Sequence, residues 1–302
     1  MPQRVAITGS SGLIGSALSA FLRGRGDEVV RLVRRPVRAA DEVRWDPAAH
    51  LLAPADLAGV TAVVHLAGAG VGDHRWTPSY QQQILGSRVD GTETIATALA
   101  ALGEPVRLVS GSAVGVYGDR GDEVLTEDSA FGDGFLSEVV RAWEAAADPA
   151  REAGLAVAHP RTGIVLSPKG GALSRMLPLA RLGVLGPLGN GKQWWPWISL
   201  RDTVGALVHL VDHPEVVGPV NLVAPLPDRQ IDIARALGRQ LHRPAVFPAP
   251  AFGIKLVLGG FSDEILTSKR VVAERLTASG FTHADPTVDA ALRWALSQDA
   301  SD

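Results

Sequence analysis

A chain of 302 residues with 46% hydrophobic and 20% charged side chains has room for a main domain and a second lobe, and is too apolar to be disordered. The net charge of −3 offers no general surface for nucleic acid, and the absence of cysteine excludes disulfides, zinc–thiolate sites and thiol nucleophiles. No apolar run approaches the roughly 18–20 residues of a membrane span, and Met1 leads almost at once into a strand, so the expected address is the cytoplasm, away from membranes.

Strand and helix alternate along the first half. Strand-like segments are RVAIT (4–8), EVVRLVR (28–34), AVVHLA (62–67), RLVSGS (107–112) and AVAHPRTGIVL (156–166). Helical patterns fall between them at 14–26, 80–102 and 137–154. Near-continuous apolar strands separated by helices imply an α/β fold, a Rossmann-type doubly wound parallel sheet with helices on both faces. Right-handed crossovers then place the ligand at the carboxyl ends of the strands. From residue 167 the chain becomes dense in Gly, Pro and Trp, as expected of an inserted lobe. ISLRDTVGALVHLVDH (198–213) and GPVNLVA (218–224) read as a return to the sheet, and the remainder is largely helical. The expected domains are therefore discontinuous. Residues 1–166 and 199–224 form a dinucleotide-binding unit, and 167–198 and 225–302 a smaller, mostly helical substrate lobe.

The first strand hands over to the first helix through TGSSGLIGS, with Gly9, Gly12 and Gly15 three apart. Gly9 permits a tight turn with unusual φ, Gly12 lets a pyrophosphate approach the backbone, and Gly15 clears space where the helix packs on the sheet. The positive end of the helix from Leu13 and Ile14, with Thr8 and Ser11 beside it, suits phosphates. NAD-binding units usually carry an acid at the end of the second strand for the ribose hydroxyls. Arg34 and Arg35 stand there instead. A guanidinium can pair with a 2′-phosphate that a carboxylate would repel, so the expected cofactor is NADP(H).

These glycines, HLAG (65–68) and SAVGVYG (112–118) resemble the extended short-chain dehydrogenase/reductase superfamily, which includes sugar-nucleotide epimerases. HRWT (74–77), SRVDGTETI (87–95), FLSEVVRAWEAAA (135–147), RTGIVLSPKGGALSRMLP (161–178), GKQWWPWI (191–198) and LHRPAVFPAPAFGIKLVLG (241–259) are similar to its atypical epimerase-like branch, the SDR39U1 type. The resemblance runs over nearly the whole chain. It implies a Rossmann-type sheet, NADP(H) bound with help from Leu66, Ala67, Gly68 and Ser110, and a C-terminal lobe over the nicotinamide. It implies no particular substrate.

The superfamily's chemistry uses a Tyr and a Lys four residues later on one helix, the Tyr exchanging a proton and the Lys holding the ribose. Aligning Glu144 with the acid that often follows that Lys puts Leu136 and Val140 at the two positions. Neither can transfer a proton. The companion serine falls at Ala113 by alignment, at Ser112 if the turn bulges by one residue, or at Ser110. Tyr117 and Ser112 are the proton donors left near the nicotinamide end, although the role expected of Tyr117 ahead of that is packing under the substrate lobe. Asp119 lies nearby. His65 reads as a core histidine and Asp202 as a helix N-cap. Arg161 ends a strand where it can meet cofactor or an anionic substrate. Lys192 with Trp194, Trp195 and Trp197 forms either an aromatic platform beside a cation or glue between lobes. No grouping has metal-ligand spacing. The whole reads as an NADP(H)-dependent oxidoreductase or epimerase-like enzyme, monomer or homodimer, acting on a small carbonyl or a sugar-nucleotide-like molecule. The alternative is a non-catalytic NADP(H)-binding sensor or partner platform.

Overall fold

The structure, a computed structural model, describes residues 2–299; Met1 and residues 300–302, the outer ends of the two expected domains, lie outside the described residues. Seven strands build the central sheet: β1 (Arg4–Thr8), β2 (Glu28–Val33), β3 (Glu42–Arg44), β4 (Ala62–His65), β5 (Arg107–Ser110), β6 (Val157–Thr162) and β7 (Gly218–Leu222). They run in the order β7-β6-β5-β4-β1-β2-β3, every neighbouring pair parallel, and a two-residue strand at Ser112–Ala113 extends the pairing to β6 where β5 stops. The order reverses between β1 and β4. A crevice opens at such a switch point, and ligands of open α/β sheets bind there.

Helices cover both faces because the strands alternate. In β1, Val5 and Ile7 join one core with Leu18 and Leu22 of α1 (Leu13–Arg25), while Ala6 joins the other with Ile95 and Leu99 of α2 (Pro78–Leu102). The helix expected over 137–154 is two pieces, α3 (Phe135–Ala145) and α4 (Asp148–Glu152), with Pro149 in the first turn of α4. Proline has no N–H to continue α3 and its ring would meet a carbonyl one turn back, so α3 ends first.

The strand expected over 156–166 also breaks. Gly163 turns the chain from β6 into a separate strand, Ile164–Leu166, which pairs in parallel with Trp197–Ser199. A Cβ on Gly163 would lie 2.3 Å from the Pro196 carbonyl oxygen, the same oxygen that accepts the Ile164 N–H at 2.6 Å, so only glycine admits this crossing. From here the lobe begins with α5 (Gly171–Arg181). Then α6 (Leu200–Asp212) packs on α1 and leads to β7, and α7 (Gln230–Leu241) returns to the lobe. Leu173, Leu177, Ile233, Leu237 and Leu292 form the lobe core around Trp195 and Trp197.

Candidate functional site

The turn after β1 is shaped for something to sit on it. Gly9 has φ +66°, and a Cβ there would lie 3.0 Å from the Leu66–Ala67 peptide at the end of β4. Gly15 is more constrained, since its Cβ would lie 2.2 Å from the Gly9 carbonyl oxygen. Gly12 differs: its Cβ would meet only the Gly9 oxygen at 3.3 Å, so its outer side is open. Gly12 is also the N-cap of α1 and supplies no side-chain cap, so no side chain of its own covers the first amides at Leu13 and Ile14. Ser11 and Gly68 are exposed on this surface. A hollow of about 690 Å³ opens on its flank, lined by Ser11, Gly12, Leu13, Ser167, Lys169 and Trp294. Another of the same volume lies against Gln3, Thr61, Arg107 and Leu155, at the amino ends of the strands and away from the switch point.

Beneath the turn, the Thr8 hydroxyl accepts the Leu66 and Ala67 N–H groups at 3.0 and 3.1 Å and lies 2.8 Å from His65 Nδ1. Its one proton therefore goes to Nδ1, which leaves His65 protonated on Nε2. Burial, with the Arg88 charge adding to it, holds His65 down to about 3, so it is neutral. His65 is thus a clamp joining β1 to the β4 turn. Ser110, in register with His65, is fully buried and its hydroxyl has no partner among the described residues.

At the end of β2 the two arginines diverge. Arg34 is exposed and forms no hydrogen bond or ion pair among the described residues. Arg35 is held by Glu42 of β3 through two hydrogen bonds of 2.6 and 2.8 Å. The Arg35 hydrogen bonds, followed by the Arg38 N–H, keep Glu42 down at about 2. Glu42 is therefore ionised and shared between Arg35 and Arg31, and the neighbouring Asp41 is held by Arg31 and Arg23.

The other end of the crevice corrects three expectations. Arg161, 2% exposed, meets Glu144 of α3 through Nε and Nη2 at 2.8 and 3.0 Å, and its Nη1 donates to the Tyr117 hydroxyl at 3.0 Å. Tyr117 is fully buried and donates to Asn221 Oδ1 at 2.7 Å; Ser112 donates to Glu144 Oε1 at 2.6 Å. Burial raises the Tyr117 hydroxyl above its ordinary value, against the opposing pull of Arg161. Burial is the largest influence on Glu144 and would raise it, but the Arg161 hydrogen bonds and charge, with the Ser112 hydroxyl and His159, together lower the carboxyl. Neither Tyr117 nor Ser112 faces the crevice as a free acid, and Arg161 is the centre of a closed network rather than a ligand for cofactor or substrate. Leu136 packs on Gly115 and Val140 lies in the main core, so α3 presents no proton donor at either position.

The aromatic platform is also absent. Trp195 and Trp197 are 4% and 1% exposed and belong to the lobe core, Trp197 donating to Asp228 at 2.9 Å. Trp194 is half-buried, with the Arg229 and Arg270 guanidinium carbons 4.3 and 4.7 Å from its ring centroid and its N–H on Asp122 at 2.7 Å. Lys192 is exposed. Asp119 accepts the Ser268 N–H at 3.0 Å, tying its turn to the lobe. The N-cap of α6 is Ser199, whose hydroxyl accepts the Asp202 N–H; Asp202 instead holds the 284–285 backbone.

One residue escaped sequence reasoning. Arg88 of α2 lies beside Gly68, with its guanidinium carbon 5.0 Å from the centre of the Trp143 ring. The signal was available: Tyr80, Ile84, Gly91 and Ile95 mark the buried stripe of α2, and Arg88 sits on that stripe.

An open, uncapped glycine turn at the switch point of a 3-2-1-4-5-6-7 parallel sheet defines a dinucleotide-binding protein of the Rossmann type. The sequence model of the NAD dependent epimerase/dehydratase family matches residues 5–223, and a domain of unknown function matches 249–295. The chain belongs to that epimerase/dehydratase family and is an epimerase-like extended short-chain dehydrogenase/reductase. It is 40% identical over 295 residues to an epimerase family protein of Mycobacterium bovis, covering 97% of this chain and 98% of that one. It is 35% identical to the human epimerase family protein SDR39U1, covering 96% and 98%. The crystal structure of human SDR39U1 (isoform 2) with NADPH superposes with a TM-score of 0.88 at 33% identity, over 98% of this chain and 99% of that one.

Proposed function

We propose that this protein binds NADP(H) across the crevice between β1 and β4 and carries out hydride exchange on a small carbonyl or sugar-nucleotide-like molecule, slowly, with water as the proton source. The observation that carries the cofactor half is the end of β2. Arg34 is free, and the nearby carboxylates Glu42 and Asp41 are held in ion pairs with Arg35, Arg31 and Arg23, so neither stands as a free acid against a 2′-phosphate. A dinucleotide fits the residues present, because the outer side of Gly12 is open and α1 lacks a side-chain cap. That a relative 33% identical was crystallised with NADPH supports the same reading. Bound there, the nicotinamide would supply or accept the hydride. The protein's own part is to hold the pyrophosphate on the α1 amides and the 2′-phosphate at Arg34 and Arg35.

The closed Tyr117–Arg161–Glu144 network favours a second reading, a non-catalytic NADP(H) binder. Without positioned acid–base help, a factor of roughly 10²–10⁴ in rate is missing from either α3 or the 112–117 turn. Calorimetry with NADPH and NADH tests the cofactor assignment. NADPH is expected to bind at least tenfold tighter, about 1.4 kcal/mol, and Arg34→Glu to erase the difference. Equal affinities in the wild type would sink it. Single-turnover oxidation of bound NADPH across a carbonyl panel separates the readings: slow turnover supports the enzyme, none supports the binder.

A further inference from the structure

Arg88 is a buried-stripe cation without a carboxylate. Its Nη1 donates to the Ala69 and Ile84 carbonyls, both at 3.0 Å, and this uses the two protons of that nitrogen. No ion pair or further hydrogen bond engages Nε or Nη2 among the described residues, and neither atom is sealed from solvent. Burial brings the guanidinium down to about 10, which leaves it charged at neutral pH. The side chain is thus braced along one edge, flanked by the Trp143 ring, and open along the other.

Its position gives the open edge a purpose. A Cβ on Gly68 would lie 3.3 Å from the Arg88 guanidinium carbon, and Gly68 is the next residue but one to Leu66, whose peptide with Ala67 abuts Gly9. The guanidinium therefore stands at the carboxyl end of β4, across the switch point from the uncapped α1 terminus. Trp143, whose ring it flanks, lies three residues along α3 from Val140. That is the position where the family resemblance expects a lysine that holds the ribose. The cation absent from α3 is present on α2.

We propose that Arg88 binds the distal half of the dinucleotide, presenting Nε and Nη2 as a two-donor fork to oxygens of the nicotinamide ribose and its phosphate. This rests on the NADP(H) reading above. It makes Arg88 a cofactor-binding residue that replaces the missing lysine's grip without replacing its part in proton transfer. A flat fork with two donors suits adjacent oxygen acceptors better than a single ammonium does.

The test compares two probes by calorimetry: NADPH, and 2′,5′-ADP, which carries the adenosine half and the 2′-phosphate but lacks the distal half. Arg88→Gln keeps a donor for the Ala69 carbonyl and removes the charge; Arg88→Lys keeps the charge and removes the fork. Arg88→Gln is expected to weaken NADPH at least tenfold and Arg88→Lys by less, with 2′,5′-ADP unchanged within twofold in both. Unchanged NADPH affinity in Arg88→Gln would overturn the proposal. So would equal weakening of both probes, which marks a collapsed turn and a structural arginine. Failure of the wild type to bind NADPH would instead overturn the cofactor reading on which this rests.

Discussion

The two ends of the crevice contain similar ingredients in opposite states. At the β1 turn, backbone donors and Arg34 are left open, and glycines keep side chains out of the way. At the β5–β6 end stand a tyrosine, a serine, a glutamate and an arginine, the usual material of acid–base sites, and every one of them is spent on another. Reactive residue types do not make a reactive site. What matters is whether a donor or a lone pair remains for a ligand.

Breaking the closed end should show the largest effect. Glu144→Ala strands Arg161 as a buried cation, and is expected to cost roughly 3–5 kcal/mol in urea unfolding. Joint replacement by Glu144→Leu and Arg161→Met should recover most of it. At the open end, Gly12→Val places a branched side chain where the pyrophosphate would lie. NADPH binding should weaken at least a hundredfold, about 2.7 kcal/mol, with little change in Tm. A variant that binds normally would move the phosphate site elsewhere. Tyr117→Phe sharpens the contrast. It leaves Asn221 Oδ1 and an Arg161 donor unpaired, so about 1–3 kcal/mol of stability should be lost while NADPH affinity and any turnover stay unchanged. Reduced turnover at full NADPH occupancy would return Tyr117 to catalysis.

The smallest effect is in pH. His65 and His159 are buried neutral, burial being the main cause, with His65 held at about 3 and His159 at about 4 against an ordinary 6.5. Between those values and 6.5 the unfolded chain binds protons that the folded one refuses, so stability is complete above 6.5 and falls as the pH drops. Denaturation midpoints from pH 7.5 to 5.0 should show this slope, and His65→Asn should remove about one proton from it.

Much of the open end was legible because its constraints are local. Gly9, Gly12 and Gly15 act within one turn, and the pattern of apolar strands carried the parallel sheet. The Pro149 break was legible too, yet the helical periodicity of 137–154 masked it. The break at Gly163 was not, because its cause, the Pro196 carbonyl, arrives from a distant segment. The same holds for Tyr117 and Arg161, whose partners Asn221 and Glu144 are fixed only once β6, β7 and α3 have assembled. The Trp cluster left two readings open for another reason: residue type says nothing about which ring faces are covered, and Arg229 and Arg270 flank the ring of Trp194.

The crossing at Gly163 has a consequence for how the molecule comes into being. Ile164–Leu166 finds its partner at Trp197–Ser199, and the short strand Val124–Leu125 finds its own only at Arg270–Val271. A chain emerging from the ribosome can close β1 to β5 early, since the pairings among these strands all lie within the first 110 residues. The lobe must wait for its last helix, Val288–Asp299, to cover Trp197 and Leu237. Such long-separation contacts form late and slowly. Refolding from denaturant should therefore be biphasic, with the sheet forming first and the change in Trp195 and Trp197 emission trailing behind it.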